Sequence, residues 1–182
     1  LAAASTLLDD LAGQLPAIEA AAQVLADTIH AGRLVYVTGT GHSHMIAEEA
    51  FYRAGGLAAV YPILEPSLLL GHGAVKSTLM ERLHDLGRVV IEDAGVARGD
   101  VLIVASNSGR NAAPVDMALQ AKELGATVIA ITSRAHSAAV DSRHRSGHKL
   151  MDVADHVIDT LVEYGDATLT VPGVETPMGP LS

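Results

Sequence analysis

The 182 residues contain no cysteine. That absence removes disulfides, thiolate metal sites and cysteine nucleophiles, and it fits a reducing compartment, so the expected localisation is cytoplasmic. Cationic side chains are scarce: 12 Lys and Arg stand against 21 Asp and Glu, a net charge of −9. Affinity for nucleic acid rests on neutralising phosphates with Lys and Arg, so no nucleic-acid partner is expected. Long hydrophobic runs are missing too. None approaches the roughly 20 residues that span a bilayer, so no membrane partner is expected. The Ala-rich opening meets Asp9 and Asp10 before a cleavable hydrophobic region develops, which reads as no signal peptide.

What is present is a core and a periodic pattern. With 49% hydrophobic and 18% charged residues, the chain is sized for one domain, residues 1–182, with a real interior. Residues 5–31 carry Leu7, Leu8 and Leu11, then Ile18, Ala22, Leu25 and Ile29, at helical spacing, with a break near Pro16 and a stop at Gly32. Residues 1–32 therefore read as an N-terminal helical segment. Five strand-length apolar runs follow, at 34–38, 57–64, 101–105, 127–132 and 156–158. Between them lie a helix running to about residue 54, one opening at Thr78 and running toward Glu92, one at 112–124 stopped by Gly125, and a short one in a basic stretch. Thr78 and Glu81 have capping-box spacing, which accounts for Glu81. Buried strands alternating with helices predict an α/β fold, a three-layer doubly wound sandwich with a five-stranded parallel sheet in flavodoxin-like order. Residues 160–182 read as a tail without a closing helix.

In such a sheet the ligand sits beyond the carboxyl ends of the strands, at a switch in strand order. Two loops there are rich in small polar residues, Gly41-His42-Ser43 after the first strand and Ser106-Asn107-Ser108-Gly109-Arg110-Asn111 after the third. Unpaired N–H groups at a helix N-terminus carry positive partial charge, hydroxyls add donors, and glycine lets backbone approach, so the two loops together can wrap one phosphate. Ser43 and Asn111 as helix caps are compatible with that role. A dinucleotide reading of Gly39-Thr40-Gly41-His42-Ser43 is disfavoured by the missing third glycine, and a Walker reading of 71–77 fails because Val75 stands where glycine is required. No cofactor is expected. No metal is expected either: His42 and His44 would need Glu48 or Glu49 to join them, and His144 and His148, four apart as on one helix face, lack a third identified ligand. The stretch 134–149 gathers Arg134, Arg143, Arg145 and Lys149 with His136, His144 and His148. It is either a solvated basic loop or an attractor for an anionic small molecule.

Together, Gly41-His42-Ser43-His44-Met45, Phe51-Tyr52-Arg53-Ala54-Gly55-Gly56, Ser106-Asn107-Ser108-Gly109-Arg110-Asn111 and Gly165-Asp166-Ala167 resemble the sugar isomerase (SIS) domain family. The likeness covers about residues 30–160 and is greatest to a bacterial subgroup without a settled reaction, related to phosphoheptose isomerase. It implies a phosphorylated sugar as ligand and a homodimer or higher homo-oligomer. Ser43, Ser106 and Ser108 match the family's phosphate-holding hydroxyls. Gly41, His42, Asn107, Gly109 and Asn111 complete the expected phosphate site, with Asn111 where many members have threonine or serine. The resemblance also implies a glutamate base about three turns into the helix after the first loop, and there this sequence has Arg53. Glu49, one turn earlier, is either the replacement base or the ion-pair partner of Arg53. His72, in the long loop 65–77, is a second catalytic candidate. The implied activity is aldose–ketose isomerisation of a sugar phosphate by proton transfer. The alternatives are a non-catalytic phosphosugar sensor or regulatory module, which would explain the absent glutamate, and a sugar phosphate etherase or deaminase. Related SIS proteins continue into further helix, so the tail is expected to be incomplete.

Overall fold

The computed structural model describes residues 2–182. Helices α1 (Ala2–Leu11) and α2 (Leu15–His30) are separated by a single 3₁₀ turn at Ala12–Gln14. Pro16 lies in the first turn of α2, where its missing N–H has no helical partner to lose, so the break falls just before the proline. The chain then runs β1 (Val35–Gly39), α3 (Met45–Ala50), β2 (Val60–Ile63), α4 (Ala74–Met80), α5 (Leu86–Ala94), β3 (Val101–Ala105), α6 (Ala112–Leu124), β4 (Thr127–Thr132), α7 (Arg134–Ala138), α8 (Leu150–Val153) and β5 (His156–Asp159). The five strands form one parallel sheet in the order β2-β1-β3-β4-β5. This is the expected flavodoxin-like order, and its winding reverses between β1 and β3.

Both faces of the sheet are covered, which is why its strands read as continuous apolar runs. Val35, Val37, Val101 and Ile129 pack under α2 and α3, through Ala21, Leu25, Ile29 and Ala47. Tyr36, Leu102, Val104 and Val128 pack on the other side under α5, α6 and α8, against Ile91, Met117 and Leu150. Neighbouring residues of one strand thus feed opposite cores, giving the three layers. Helix α6 lies deepest and ends at Gly125, as expected. Among the described residues no helix is long and apolar enough to cross a membrane.

Several local expectations fail. The helix after the first loop stops at Ala50, because Phe51 turns extended (φ −97°, ψ 138°) and Tyr52 takes φ +46°. The run 51–59 is turn and coil, so β2 is shorter than 57–64. The helix expected from Thr78 is two helices, α4 and α5, with 81–85 between them. Thr78 lies inside α4 and donates its hydroxyl to Ala74 O at 3.2 Å, so it is not an N-cap and the capping box does not form. His144 and His148 share no helix, since 141–149 is turn and coil. In the tail, Leu169 pairs with Met178 in an isolated antiparallel bridge.

Two acidic side chains clasp the amino ends of the strands. Asp100, 5% exposed, accepts the N–H groups of Leu34 (3.2 Å) and Ala97 (2.9 Å), joining the entries to β1 and β3. Asp155 accepts the Val128 N–H at 2.9 Å and the Lys122 ammonium at 2.6 Å, joining β5 to β4 and α6. Burial pushes the Asp155 carboxyl up, but Lys122 and the Val128 N–H outweigh it and hold its pKa below the ordinary value. Replacing Asp100 with alanine leaves two N–H groups without this acceptor and should cost roughly 1–3 kcal/mol in urea unfolding, with Asp100→Asn losing less. For Asp155 the depressed folded pKa means that its contribution is in place above about pH 4 and is lost as pH falls through the folded value. Asp155→Asn should therefore flatten that part of the acid limb of the stability profile.

Candidate functional site

The carboxyl ends of β1 and β3 lie side by side, with Gly39 paired in register to Ala105. From β1 the chain passes through Thr40 into a 3₁₀ turn, Gly41–His44, that folds back over the strand end before α3. Only glycine fits at position 39, where a Cβ would stand 2.4 Å from the Ser43 carbonyl oxygen. From β3 the chain wraps through residues 106–111 into α6. Gly109 has φ +59°, a conformation L side chains rarely adopt, and an added Cβ would stand 3.1 Å from Leu150 Cβ. The Ser106 hydroxyl accepts the Gly109 N–H at 3.2 Å, closing this loop on itself. Its middle is tied outward: Asn107 O accepts from Ser133 N (3.0 Å) and Thr132 Oγ1 (3.1 Å), and Asn107 Oδ1 accepts from Thr160 Oγ1 (3.3 Å).

The two loops share one cavity of about 270 Å³, walled by His42, Ser43, Met45, Ile46, Ser106 and Asn107 among others. Of the expected phosphate residues, His42, Ser43, Ser106 and Asn107 line it directly. Gly41, Ser108 and Gly109 belong to the same two loops but are not among its lining residues. Asn111, buried at the start of α6, is committed elsewhere.

That commitment is to Glu81. The carboxylate accepts Thr40 Oγ1 at 2.8 Å on one oxygen and Asn111 Nδ2 at 2.7 Å on the other. Its backbone carbonyl accepts the Ala113 N–H (2.9 Å), one of the donors at the start of α6. The Asn111 side-chain oxygen in turn accepts Arg143 Nη1 at 2.9 Å, and Arg143 N donates to Arg110 O at 2.8 Å. The pKa of Arg143 is lowered, by desolvation first and then by the guanidinium charges of Arg110 and Arg82, with Glu81 opposing. Arg143 thus feels two like charges and one opposite one, and a further anion beside it would relieve that repulsion.

The two catalytic candidates are placed apart from this centre. Glu49 is exposed on α3 and forms an ion pair with Arg53, the second of the two readings of that spacing. His72 is exposed in a 3₁₀ turn, Leu70–His72; neither residue lines the cavity, and Glu81 does not line it either but is tied to the loops through Thr40 and Asn111. His44 turns its ring to Gly41 O and lies 3.4 Å from Glu48. Glu81 escaped the sequence reading because the capping box had absorbed it. The usable signal was Gly73, which opens α4 earlier and leaves Glu81 at the helix end. Arg143 was visible only as one of several cations in the basic stretch.

Residues 1–133 match the family described as SIS domain. The chain belongs to the SIS domain family. It is 46% identical over 165 residues to the UPF0309 protein GK1441 of Geobacillus kaustophilus, covering 91% of this chain and 66% of that protein. It is 47% identical over 182 residues to the UPF0309 protein BOV_A0853 of Brucella ovis, covering 100% of this chain and 73% of that one. This SIS chain therefore spans about two thirds to three quarters of the length of these relatives. Among solved structures, a phosphoheptose isomerase from Francisella tularensis aligns with a TM-score of 0.61 and 20% identity, covering 87% of this chain and 79% of that one. Phosphoheptose isomerase from Neisseria gonorrhoeae aligns with a TM-score of 0.61 and 19% identity, over 87% and 80%. At these identities the likeness is one of fold.

If Glu81 bridges the two loops in solution, a double-mutant cycle between Thr40→Val and Glu81→Ala should show a coupling of about 0.5–3 kcal/mol in urea unfolding. Strict additivity would mean that the bridge contributes nothing.

Proposed function

We propose that this chain binds a phosphorylated sugar and interconverts its aldose and ketose forms by proton transfer. The observation that carries the reading is the shared cavity of the two strand-end loops, with Glu81 suspended between residues that flank them. In the proposed complex the phosphate sits on the Ser43, Ser106 and Ser108 hydroxyls and nearby backbone N–H groups, and the sugar chain extends toward Glu81. Glu81 takes the proton from C2 of the aldose while O1 gains one, giving an enediol. The same carboxyl then protonates C1 as O2 loses its proton, so no oxidant or further reactant is consumed. His42, on the cavity wall, supplies an imidazole for the proton shift between the oxygens. Glu49, held by Arg53, is the alternative base, and His72 the alternative acid. A second copy of the chain, sharing or completing the site, is part of the same proposal, as is a cytoplasmic setting.

One observation favours a second reading. The Glu49–Arg53 pair stands where the resemblance implies a catalytic glutamate, which suits a sensor that holds a phosphosugar without turnover.

Incubation with hexose, hexosamine and heptose phosphates in deuterated water separates these readings, with binding followed by thermal shift and carbon-bound deuterium by NMR. The expected result is deuterium next to the carbonyl, lowered at least about 100-fold in Glu81→Gln with binding retained. Ser108→Ala should weaken binding itself. Exchange that survives Glu81→Gln but is lost in Glu49→Gln would move the base to Glu49. Binding without exchange would leave the sensor.

A further inference from the structure

A second polar cluster joins α6 to the segment 81–85 and to the 141–149 loop. Asp116 of α6 and His144 of the 141–149 loop are each 8% exposed and meet through Oδ1 and Nε2 at 2.9 Å. The other Asp116 oxygen accepts the Asp85 N–H at 2.6 Å, which fixes the carboxylate's orientation. His84 stands on the open side, its ring centroid 5.5 Å from that of His144 and the planes at 59°. One nitrogen from each imidazole and a carboxylate oxygen all lie within 4.8 Å of one another.

A hydrogen-bonded aspartate–histidine pair would by itself account for the burial of Asp116 and His144. It does not account for the second imidazole facing them from a third segment. We propose that His84, Asp116 and His144 bind one divalent transition metal of the zinc class, with water in the remaining position.

Two imidazole nitrogens and one carboxylate oxygen are a zinc-type donor set with an open place. Tetrahedral bonds of about 2.0–2.1 Å set ligand atoms about 3.3 Å apart. Asp116 Oδ1 and His144 Nε2, now 2.9 Å apart, would open by a few tenths of an ångström, and the remaining adjustment falls on His84, whose side chain is exposed. A neutral imidazole bound through Nε2 carries its proton on Nδ1, which would face Ser146 Oγ at 2.7 Å; His144 Nδ1 now accepts the Ser146 N–H at 3.2 Å, a contact that metal binding would give up. Asp116 and His144 also wall a surface cavity of about 160 Å³ that gives a water ligand room to enter. The neighbouring cations are already compensated: Arg145 pairs with Asp85 (2.6 Å), and Arg88 with Glu92 (3.3 Å) and Glu123 (3.1 Å). A metal there would pin the segment that follows Glu81 and the loop that carries Arg143 to the same turn of α6. It is a positioning site, and its existence does not depend on which sugar, if any, the cavity binds.

The test uses untagged protein, stripped with a chelator, dialysed against micromolar zinc and analysed for bound metal, with cobalt(II) substitution read by visible spectroscopy. One equivalent per chain is expected, with the intense absorption of low-coordinate cobalt. His84→Ala, exposed and checked for folding by circular dichroism, should weaken binding at least tenfold and abolish the cobalt bands. His148→Ala, which removes a neighbouring imidazole outside the cluster, should leave both unchanged. Less than one equivalent in the unmutated chain, binding that survives His84→Ala, or binding lost in His148→Ala would each overturn the site.

Discussion

The carboxylate of Glu81 is held by Thr40 from one strand-end loop and by Asn111 from the other, and the geometry between those loops depends on that shared charge. A half-buried carboxylate is stable only when donors replace its water, so the two loops must present theirs at the same point. Asn111 cannot turn its amide over without loss. Its nitrogen faces Glu81 and its oxygen faces Arg143, so a flip would set acceptor against carboxylate and donor against guanidinium. Both loop ends are thereby locked to the turn that follows α4.

The sheet supplies the platform for this arrangement. β1 and β3 are neighbours in register, so their loops leave the sheet at one level, at the place where the winding direction changes. Asn107 carries the fixing further, to the ends of β4 and β5. Charge is distributed against the overall balance. A chain of net charge −9 brings Arg82 and Arg110 near enough to Arg143 to lower its pKa, so this part of an acidic protein is locally cationic.

The parts legible in the sequence were those that depend on local periodicity. Runs such as 101–105 and 127–132 are apolar because both of their faces are covered, and the loops after them carry the glycines that tight turns require. Glu81 was misread for a definite reason. Thr78 and Glu81 three residues apart describe a capping box only if a helix begins there, and three apart is equally the spacing of two residues within one helix. Glu49 and Arg53 were read correctly as a possible ion pair, although the helix thought to carry both ends at Ala50. His144 was weighed against His148, four residues away, whereas its contact is Asp116, 28 residues away.

From the sequence alone follow the α/β class, the five parallel strands and the two polar loops at the strand ends, because each depends on the pattern of residues within one segment or on the alternation of successive units. Tertiary structure alone decided that Glu81, Arg143 and Asn111 form one network and that His84, Asp116 and His144 form another. Those contacts join residues tens of positions apart. Their partners are chosen by how helices pack on the sheet and by where charge can be desolvated with donors at hand, and neither condition leaves a periodic trace along the chain.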